Sequence, residues 1–201
     1  MVHSQVSGFV LAGGKSTRMG QDKAAVMLNG RSFLEHALEA VRSVCGSVTI
    51  LGKRELYGSY APVIEDIIPD CGPLSGIHAA LTNTSTDLNL IIGVDTPFLA
   101  PALLSYVVEK AIASGSIVTT PEIDNHTQPL CSVYSRDFLP IAEQALKDGM
   151  YKVAKLFPPG QTLVIKEPEL RQFAFTADMF DNLNTPDDLA RARRRLSGQD
   201  T

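Results

Sequence analysis

The sequence has no tryptophan, few cysteines and no long apolar run. The three cysteines, Cys45, Cys71 and Cys131, lie far apart and form no CxxC pair, which argues against a disulfide framework or structural zinc and favours a reducing compartment. No apolar stretch approaches the ~20 residues that span a bilayer, and the first residues lack the pattern of a signal peptide. We therefore expect a soluble cytoplasmic protein with no membrane partner.

An excess of positive charge is also missing. The chain carries 18 Lys and Arg against 22 Asp and Glu, for a net charge of −4. Nucleic-acid-binding proteins usually show a basic surface, so we expect no nucleic-acid partner, although a small anionic substrate remains compatible with this charge. The 201 residues, 44% of them apolar, are enough for one domain with a sizeable core, and we predict a single domain over 1–201.

Apolar strands alternate with amphipathic helices along the chain. We predict strands at 7–11, 47–51, 63–64, 88–94, 117–120, 130–134 and 163–166, and helices from Ser32 onward, over 74–81, from Pro101 onward, over 136–147, over 150–157 and from Thr185 onward. This order predicts an α/β protein with three α/β/α layers around a mostly parallel, Rossmann-like sheet. Ligands bind such sheets at the carboxyl ends of the strands. The loops after Leu11, Ile64 and Val94 are therefore the first candidates for a ligand-binding site.

Residues 11–23 form a glycine-rich, basic segment directly after the first strand. Glycines let backbone N–H groups approach a phosphate or a base closely. Arg18 offers a guanidinium fork for phosphate oxygens, and Lys23 offers a compact charge. A surface loop with solvated basic residues is the plainer interpretation. The spacing matches neither a Walker A loop nor a GxGxxG dinucleotide motif.

Asp95 follows the most apolar strand, at 88–94. A carboxylate at that end of a strand, beside a phosphate-binding loop, suits Mg²⁺, which prefers one or two carboxylates with phosphate oxygens and water. Alternatively, Asp95 only forms a turn or helix cap before Pro97. The four histidines show no metal-ligand spacing, and no Ser-His-Asp or paired-acid arrangement is recognisable.

The segment 11–23 reads LAGGKSTRMGQDK and resembles the signature loop of the molybdenum cofactor guanylyltransferases, the MobA family, within the nucleotidyltransferases of glycosyltransferase-A-like fold. The resemblance continues through VIED at 63–66, GPLSG at 72–76, VDTP at 94–97, QPL at 128–130 and NLNTP at 182–186. It implies a Mg²⁺-dependent enzyme that transfers GMP from GTP to molybdopterin and releases diphosphate. Transient contacts with other molybdenum-cofactor biosynthesis proteins are also implied.

The resemblance assigns roles by position. It implies catalytic roles for Arg18, Lys23 and Asp95; nucleotide contacts at Leu11, Ala12, Gly13, Gly14, Lys23, Asp66 and Asp95; Mg²⁺ on Asp95; and acceptor contacts at Gln128, Pro129, Asn182 and Asn184. Residues 1–100 would form the nucleotide half and 101–201 the acceptor half. Several of these positions also have a purely structural explanation. The Asp66 side chain could simply be solvated, and Thr185 with Asn184 could cap the last helix.

Two details bear on base choice. By the resemblance, Leu-Ala-Gly-Gly at 11–14 is typical of the members that transfer GMP, whereas relatives that transfer CMP tend to carry Leu-Ala-Ala-Gly. Some members carry an asparagine after the strand at 47–51, where this chain has Gly52. The alternatives are a molybdopterin cytidylyltransferase, a guanylyltransferase for sugar 1-phosphate or cobinamide phosphate, and a non-catalytic GTP-sensing module.

Overall fold

The computed structural model describes residues 2–13 and 22–196. Within them the strands are β1 (His3–Leu11), β2 (Met27–Leu28), β3 (Arg31–Ser32), β4 (Cys45–Leu51), β5 (Val63–Ile64), β6 (Leu88–Gly93), β7 (Val118–Ile123), β8 (His126–Thr127), β9 (Cys131–Ser135) and β10 (Thr162–Ile165). The helices are α1 (Phe33–Arg42), α2 (Arg54–Tyr57), α3 (Pro73–Asn83), α4 (Pro101–Ser114), α5 (Leu139–Lys147), α6 (Glu167–Gln172) and α7 (Pro186–Leu196).

The main sheet has the strand order β10-β7-β9-β6-β1-β4-β5, with β8 paired to β7. Strands β6, β1, β4 and β5 are parallel neighbours, and β10 is parallel to β7. Strand β9 runs antiparallel to both β6 and β7. The predicted mostly parallel α/β sheet is therefore confirmed, with two antiparallel strands: β9 near its middle and the short β8, which pairs with β7.

Alternate side chains of the central strands enter opposite core layers, because successive residues of a strand face opposite sides of the sheet. Val6 and Val10 of β1 pack in the layer that holds α1 and α4. Phe9 between them packs in the layer that holds α3 and α5. Helices therefore cover both faces of the sheet, as the predicted three-layer arrangement requires.

Local sequence explains where α1 begins. Asn29 and Gly30 have φ of 50° and 79°, which makes the tight turn between β2 and β3. Ser32 then accepts a hydrogen bond from the Glu35 N–H, while the Glu35 carboxylate accepts from the Ser32 N–H. This capping box satisfies two backbone donors that a helix start otherwise leaves unpaired.

The predicted helix at 150–157 is wrong, since only Val153–Lys155 forms a short 3-10 helix. The apolar spacing there resembles a helical face, but Met150 and Tyr151 remain exposed while Val153 is buried. The helix predicted over 136–147 opens with a 3-10 turn at Arg136–Phe138 before α5. Helices α2 and α6, too short to show a periodic pattern, were not predicted.

Gly8 lies where α1 crosses β1, and its lack of a side chain permits that approach. A Cβ at Gly8 would lie 2.1 Å from Cγ1 of Val41 and 3.1 Å from Cβ of Cys45. Both neighbours are buried, and the β-branched Val41 has little rotamer freedom. We expect Gly8→Ala to lower the free energy of unfolding by about 1–3 kcal/mol through overpacking. Urea denaturation measures this, with the exposed Gln5→Ala on the same strand as control; equal midpoints for the two variants would contradict it.

Within residues 2–13 and 22–196, the helices are too short or too polar to cross a membrane.

Candidate active site

The loops that the sequence predicts to bind a ligand, after Leu11, Ile64 and Val94, lie at one edge of the sheet. Leu11, the last residue of β1, pairs with Leu51 on one side and Gly93 on the other. Leu51 pairs in turn with Ile64, the last residue of β5. Because these strands are parallel and end in register, the residues that follow them reach the same edge.

Strand β9 contributes to this edge from the opposite direction. The Gly93 N–H donates to the Leu130 carbonyl at 3.0 Å, just before β9 begins. Because β9 runs antiparallel to β6, β9 starts at the edge where β6 ends. Gln128 and Pro129, the predicted acceptor residues in the strand entrance, therefore lie beside the end of β6.

Lys23 and Asp95 meet at the centre of this edge. The Lys23 Nζ lies 3.0 Å from Oδ2 of Asp95, and the two side chains are only 15% and 22% exposed. Lys23 opens a short 3-10 helix, Lys23–Ala25, whose first turn is capped by the Asp22 carboxylate accepting from the Ala24 N–H at 3.0 Å. Two of the predicted catalytic residues thus form one partly buried ion pair.

The segment 182–184 completes the cluster. The Leu183 N–H donates to the Asp95 carbonyl at 3.0 Å, and the Leu183 side chain is buried. Lys23 donates to the side-chain oxygen of Asn184. With its amide nitrogen facing Asp95, Asn182 donates to the two carboxylate oxygens at 3.1 and 3.3 Å. Both asparagines therefore contact the ion pair.

The alternative role for this segment is only partly correct. Thr185 does cap α7, accepting from the Asp188 N–H at 3.1 Å, while Asp188 accepts from the N–H groups of Asn184 and Thr185. The Asn184 side chain, however, bonds to Lys23 and takes no part in the cap. The cap holds α7 and leaves Asn184 directed into the site.

Gly93 makes room for the Asp95 carboxylate. A Cβ at Gly93 would lie 2.6 Å from Oδ1 of Asp95 and 3.4 Å from Cβ of Leu130. A side chain there would push the carboxylate out of its place. The sequence does carry a signal for this, since an isolated glycine inside an apolar strand often marks a close approach.

Residues 11–13 reach the edge with their amides already occupied. The N–H groups of Ala12 and Gly13 both donate to the Leu51 carbonyl, at 3.0 and 3.1 Å. The Leu11 carbonyl accepts from the Val94 N–H at 3.0 Å. A nucleotide contacting these N–H groups would have to compete with the bonds to Leu51.

Asp66 lies two residues beyond Ile64, at the same edge, with an exposed side chain. Partial desolvation raises the pKa of its carboxyl, and the neighbouring charge of Asp70 raises it further. Glu65 turns away and accepts from the Arg54 N–H at 3.0 Å. Asp66 therefore lies beyond the end of β5, apart from the hydrogen bonds of the Lys23 and Asp95 cluster.

A cavity of about 290 Å³ opens next to the ion pair. Its lining includes Asp124, His126, Gln128, Phe180, Asp181 and Asn182. Asn182 lies both at this cavity and against Asp95, so the cavity and the ion pair are adjacent. Burial raises the pKa of Asp181, an effect that the Arg191 charge opposes.

The strand entrance at 128–130 is held firmly by its backbone. The Gln128 N–H donates to the Pro121 carbonyl at 2.9 Å, and the Gln128 carbonyl accepts from Ser132 Oγ at 2.6 Å. The Pro129 carbonyl accepts from the buried Tyr134 hydroxyl at 2.8 Å. This segment therefore presents the Gln128 side chain at the cavity from a rigid support.

Two predicted residues, Gly14 and Arg18, lie outside the described residues. Two others that contact the site were missed by the sequence reasoning, Asp22 and Tyr57. The Tyr57 hydroxyl lies 2.9 and 3.0 Å from the Asp22 carboxylate oxygens and 3.3 Å from the Ala12 carbonyl. The one available signal for Asp22 was its position before Lys23, whereas no local pattern marks Tyr57.

A mostly parallel, Rossmann-like sheet carries a glycine-rich segment after β1 and a Lys–Asp pair at its carboxyl edge, an arrangement suited to binding a nucleotide. Residues 8–162 match the family described as the MobA-like NTP transferase domain. The chain belongs to this family.

Relatives and solved structures agree with that membership. The chain is 36% identical over 191 residues to a probable molybdenum cofactor guanylyltransferase of Pelotomaculum thermopropionicum, covering 94% of this chain and 92% of that one. It is 33% identical over 185 residues to a probable molybdenum cofactor guanylyltransferase of Flavobacterium johnsoniae, covering 90% and 93%. The crystal structure of molybdopterin-guanine dinucleotide biosynthesis protein A from Archaeoglobus fulgidus superposes with a TM-score of 0.84 at 28% identity, covering 96% and 99%.

Proposed function

We propose that this protein transfers GMP from GTP to the terminal phosphate of molybdopterin, forming molybdopterin guanine dinucleotide and releasing diphosphate. The observation that carries the proposal is the meeting of Lys23, Asp95 and Asn184 at the carboxyl edge of the sheet. The names of the relatives support the choice of GMP and molybdopterin.

The chemistry needs charge neutralisation more than proton transfer. A phosphate monoester has a second pKa of about 6, so the acceptor phosphate is already an anionic nucleophile at neutral pH. The attack forms a bond to the α-phosphorus of GTP and breaks its bond to the bridging oxygen of diphosphate. Lys23 and Arg18 would neutralise the triphosphate and the departing diphosphate, so that catalysis is positioning and electrostatic stabilisation.

The residues around Asp95 fit a magnesium ion. No cluster of three or more His, Cys, Asp and Glu ligands occurs in the part of the chain that the structure describes. Mg²⁺ needs fewer protein ligands, since one or two carboxylates suffice beside phosphate and water. Asp95 would hold the ion, and Asn184 beside it brings a side-chain oxygen, whereas Asn182 turns its amide nitrogen to the Asp95 carboxylate as a donor. When bound, Mg²⁺ would offset repulsion between the two anionic reactants.

The surroundings of Gly13 support a guanine nucleotide. A Cβ at Gly13 would meet only ordinary contacts among the described residues, 3.7 Å from the Gly52 Cα and the Leu51 carbonyl. Packing against the described protein therefore does not require glycine at this position. We infer that the space above Gly13 is kept for the ligand; the resemblance implies alanine at this position in proteins that transfer CMP.

We assign the cavity beside Asn182 to the acceptor. Gln128 and Asn182 offer amide groups to a polar heterocycle, and Phe180 adds an apolar wall. Carboxylates at Asp124 and Asp181 would repel the acceptor's phosphate and accept from N–H groups of its pterin. The acceptor would thus lie with its phosphate toward Lys23 and its pterin in the cavity.

The most direct test is diphosphate release with purified molybdopterin and Mg²⁺, using each of the four nucleoside triphosphates separately. We expect GTP to be used at least about tenfold better than CTP, a discrimination of about 1.4 kcal/mol. A sugar 1-phosphate and cobinamide phosphate serve as competing acceptors. Preference for either of these, or GTP binding without turnover, would refute the proposed reaction.

The predicted acceptor contact at Gln128 makes a separate prediction. Gln128→Ala removes a side chain at the cavity without disturbing the backbone bonds of that residue. We expect the KM for molybdopterin to rise about fivefold, roughly 1 kcal/mol, with an unchanged KM for GTP. Gln144→Ala, on the exposed face of α5, is the matched control. A rise confined to the KM for GTP would move Gln128 to the nucleotide side.

We place this reaction in the cytoplasm. Cys45, Cys71 and Cys131 are buried free thiols, a usage typical of a reducing compartment. Burial raises the pKa of Cys45 and of Cys131 to about 12, so both stay as unreactive thiols at neutral pH.

A further inference from the structure

The Tyr57 hydroxyl contacts the two residues that precede and follow residues 13–21 of the glycine-rich segment. It is 3.3 Å from the carbonyl of Ala12 and 2.9 Å from the carboxylate of Asp22. Tyr57 itself is the last residue of α2 and only 5% exposed. One buried group therefore contacts the chain on both sides of the segment 13–21.

The phenol has a single proton to donate, and the carboxylate is the stronger acceptor. Asp22 is the closer partner, and hydrogen bonds to an ionised acceptor are about twice as strong as neutral ones. Burial, together with the neighbouring Asp22, raises the pKa of the Tyr57 hydroxyl, which keeps the donor protonated. Tyr57 thus remains a hydrogen-bond donor throughout the working pH range.

Asp22 transmits this contact to Lys23. The same carboxylate that accepts from Tyr57 also accepts from the Ala24 N–H at 3.0 Å and so caps the turn that Lys23 opens. The Lys23 ammonium then lies 3.0 Å from Asp95. Two hydrogen bonds and the backbone of this turn therefore connect the Tyr57 hydroxyl to Lys23 of the ion pair.

Gly52 provides the room for the Tyr57 ring. A Cβ at Gly52 would lie 2.9 Å from Cε2 and 3.0 Å from Cδ2 of that ring, closer than real side chains allow. In this chain the aromatic ring fills the space next to Gly52, so the glycine and the tyrosine depend on each other.

We propose that Tyr57 is a positioning residue for the nucleotide site: its hydroxyl holds Asp22, and through Asp22 it places Lys23 for the triphosphate. The inference rests on the proposed function in so far as Lys23 contacts GTP. It requires nothing of the acceptor, so the two proposals fail in different experiments.

Tyr57→Phe removes only the hydroxyl and keeps the ring that packs on Gly52. We expect kcat/KM for GTP to fall about tenfold, and the affinity for Mg·GTP, measured by calorimetry without acceptor, to weaken by a similar factor. The KM for molybdopterin should not change. The control is Tyr106→Phe, which removes the hydroxyl of another tyrosine bonded to a carboxylate, Glu169 at 2.7 Å, outside the site.

A double-mutant cycle separates positioning from simple loss of stability. If Tyr57 acts through Lys23, Tyr57→Phe should have no further effect on kcat/KM in a Lys23→Ala background, whereas independent effects would multiply. Gly52→Ala should reproduce the Tyr57→Phe phenotype, because the added methyl group displaces the ring. A multiplicative double mutant, or equal effects of Tyr57→Phe and Tyr106→Phe on GTP affinity, would overturn the inference.

Failure of the proposed reaction gives a different pattern. If the wild-type protein binds Mg·GTP but does not modify molybdopterin, the acceptor assignment is wrong, and the calorimetric comparison still decides the role of Tyr57. If wild-type transfer is normal and Tyr57→Phe binds Mg·GTP as well as the wild type, the proposed function stands and the positioning role is refuted.

Discussion

Asp95→Ala is expected to lower kcat for GMP transfer by about a thousandfold or more, equivalent to roughly 4 kcal/mol of lost transition-state stabilisation. Asp95 is the carboxylate at the end of β6 that neighbours Lys23, Asn182 and Asn184. Its removal would take away both the proposed ligand of Mg²⁺ and the counter-charge of Lys23. Added Mg²⁺ should not restore the rate.

Asp95→Asn sharpens this prediction because it keeps the shape of the side chain and removes its charge. The measurement is single-turnover GMP transfer over a range of Mg²⁺ concentrations, with thermal denaturation to establish that the variant is folded. Asp87→Ala is the matched control, since Asp87 is an exposed aspartate at the opposite end of the same strand. Near wild-type turnover by folded Asp95→Asn would exclude Asp95 as the metal ligand.

Lys23→Ala should reduce kcat/KM for GTP by about a hundredfold, roughly 2.7 kcal/mol. The Lys23 side chain is only 15% exposed, so its charge acts on a bound phosphate with less screening by water than a surface lysine has. The loss should be smaller than for Asp95, because Arg18 supplies a second cation to the same triphosphate in the proposed reaction. Steady-state kinetics with varied GTP measures it.

Lys23→Arg tests whether charge alone is sufficient. The guanidinium keeps the charge but is larger and planar, so only partial activity is expected in a site where Lys23 fits between Asp95 and Asn184. Lys147→Ala, on the exposed surface of α5, should leave the kinetics unchanged. An unaltered kcat/KM in Lys23→Ala would place Lys23 outside the nucleotide site.

The sequence alone predicts where the candidate site lies along the chain. The alternation of strands and helices predicts the sheet, and the carboxyl ends of parallel strands fall on one edge whichever strands are neighbours. The Lys23 segment and Asp95 each follow a predicted strand, so both could be assigned to that edge from local pattern. Residue type alone gives the charges of Lys23 and Asp95 and makes the Asp95 carboxylate an oxygen ligand.

Short and irregular elements were not readable in this way. The segment 150–157 carries a helix-like apolar spacing, yet only Val153–Lys155 forms a short helical turn. Helix α2, which carries Tyr57, is 4 residues long and too short for any periodicity to show. Periodic patterns indicate an element only when it spans more than about two turns.

The sequence by itself determined the layers of the fold, the sheet edge at which we predict the chemistry, and the ionisable groups available there. Only the tertiary structure decided which of these groups touch. Lys23 is 72 residues from Asp95 and 161 from Asn184, and Tyr57 is 35 from Asp22. Such contacts depend on strand order and register, which are set by packing of the whole core, and local spacing carries no information about them.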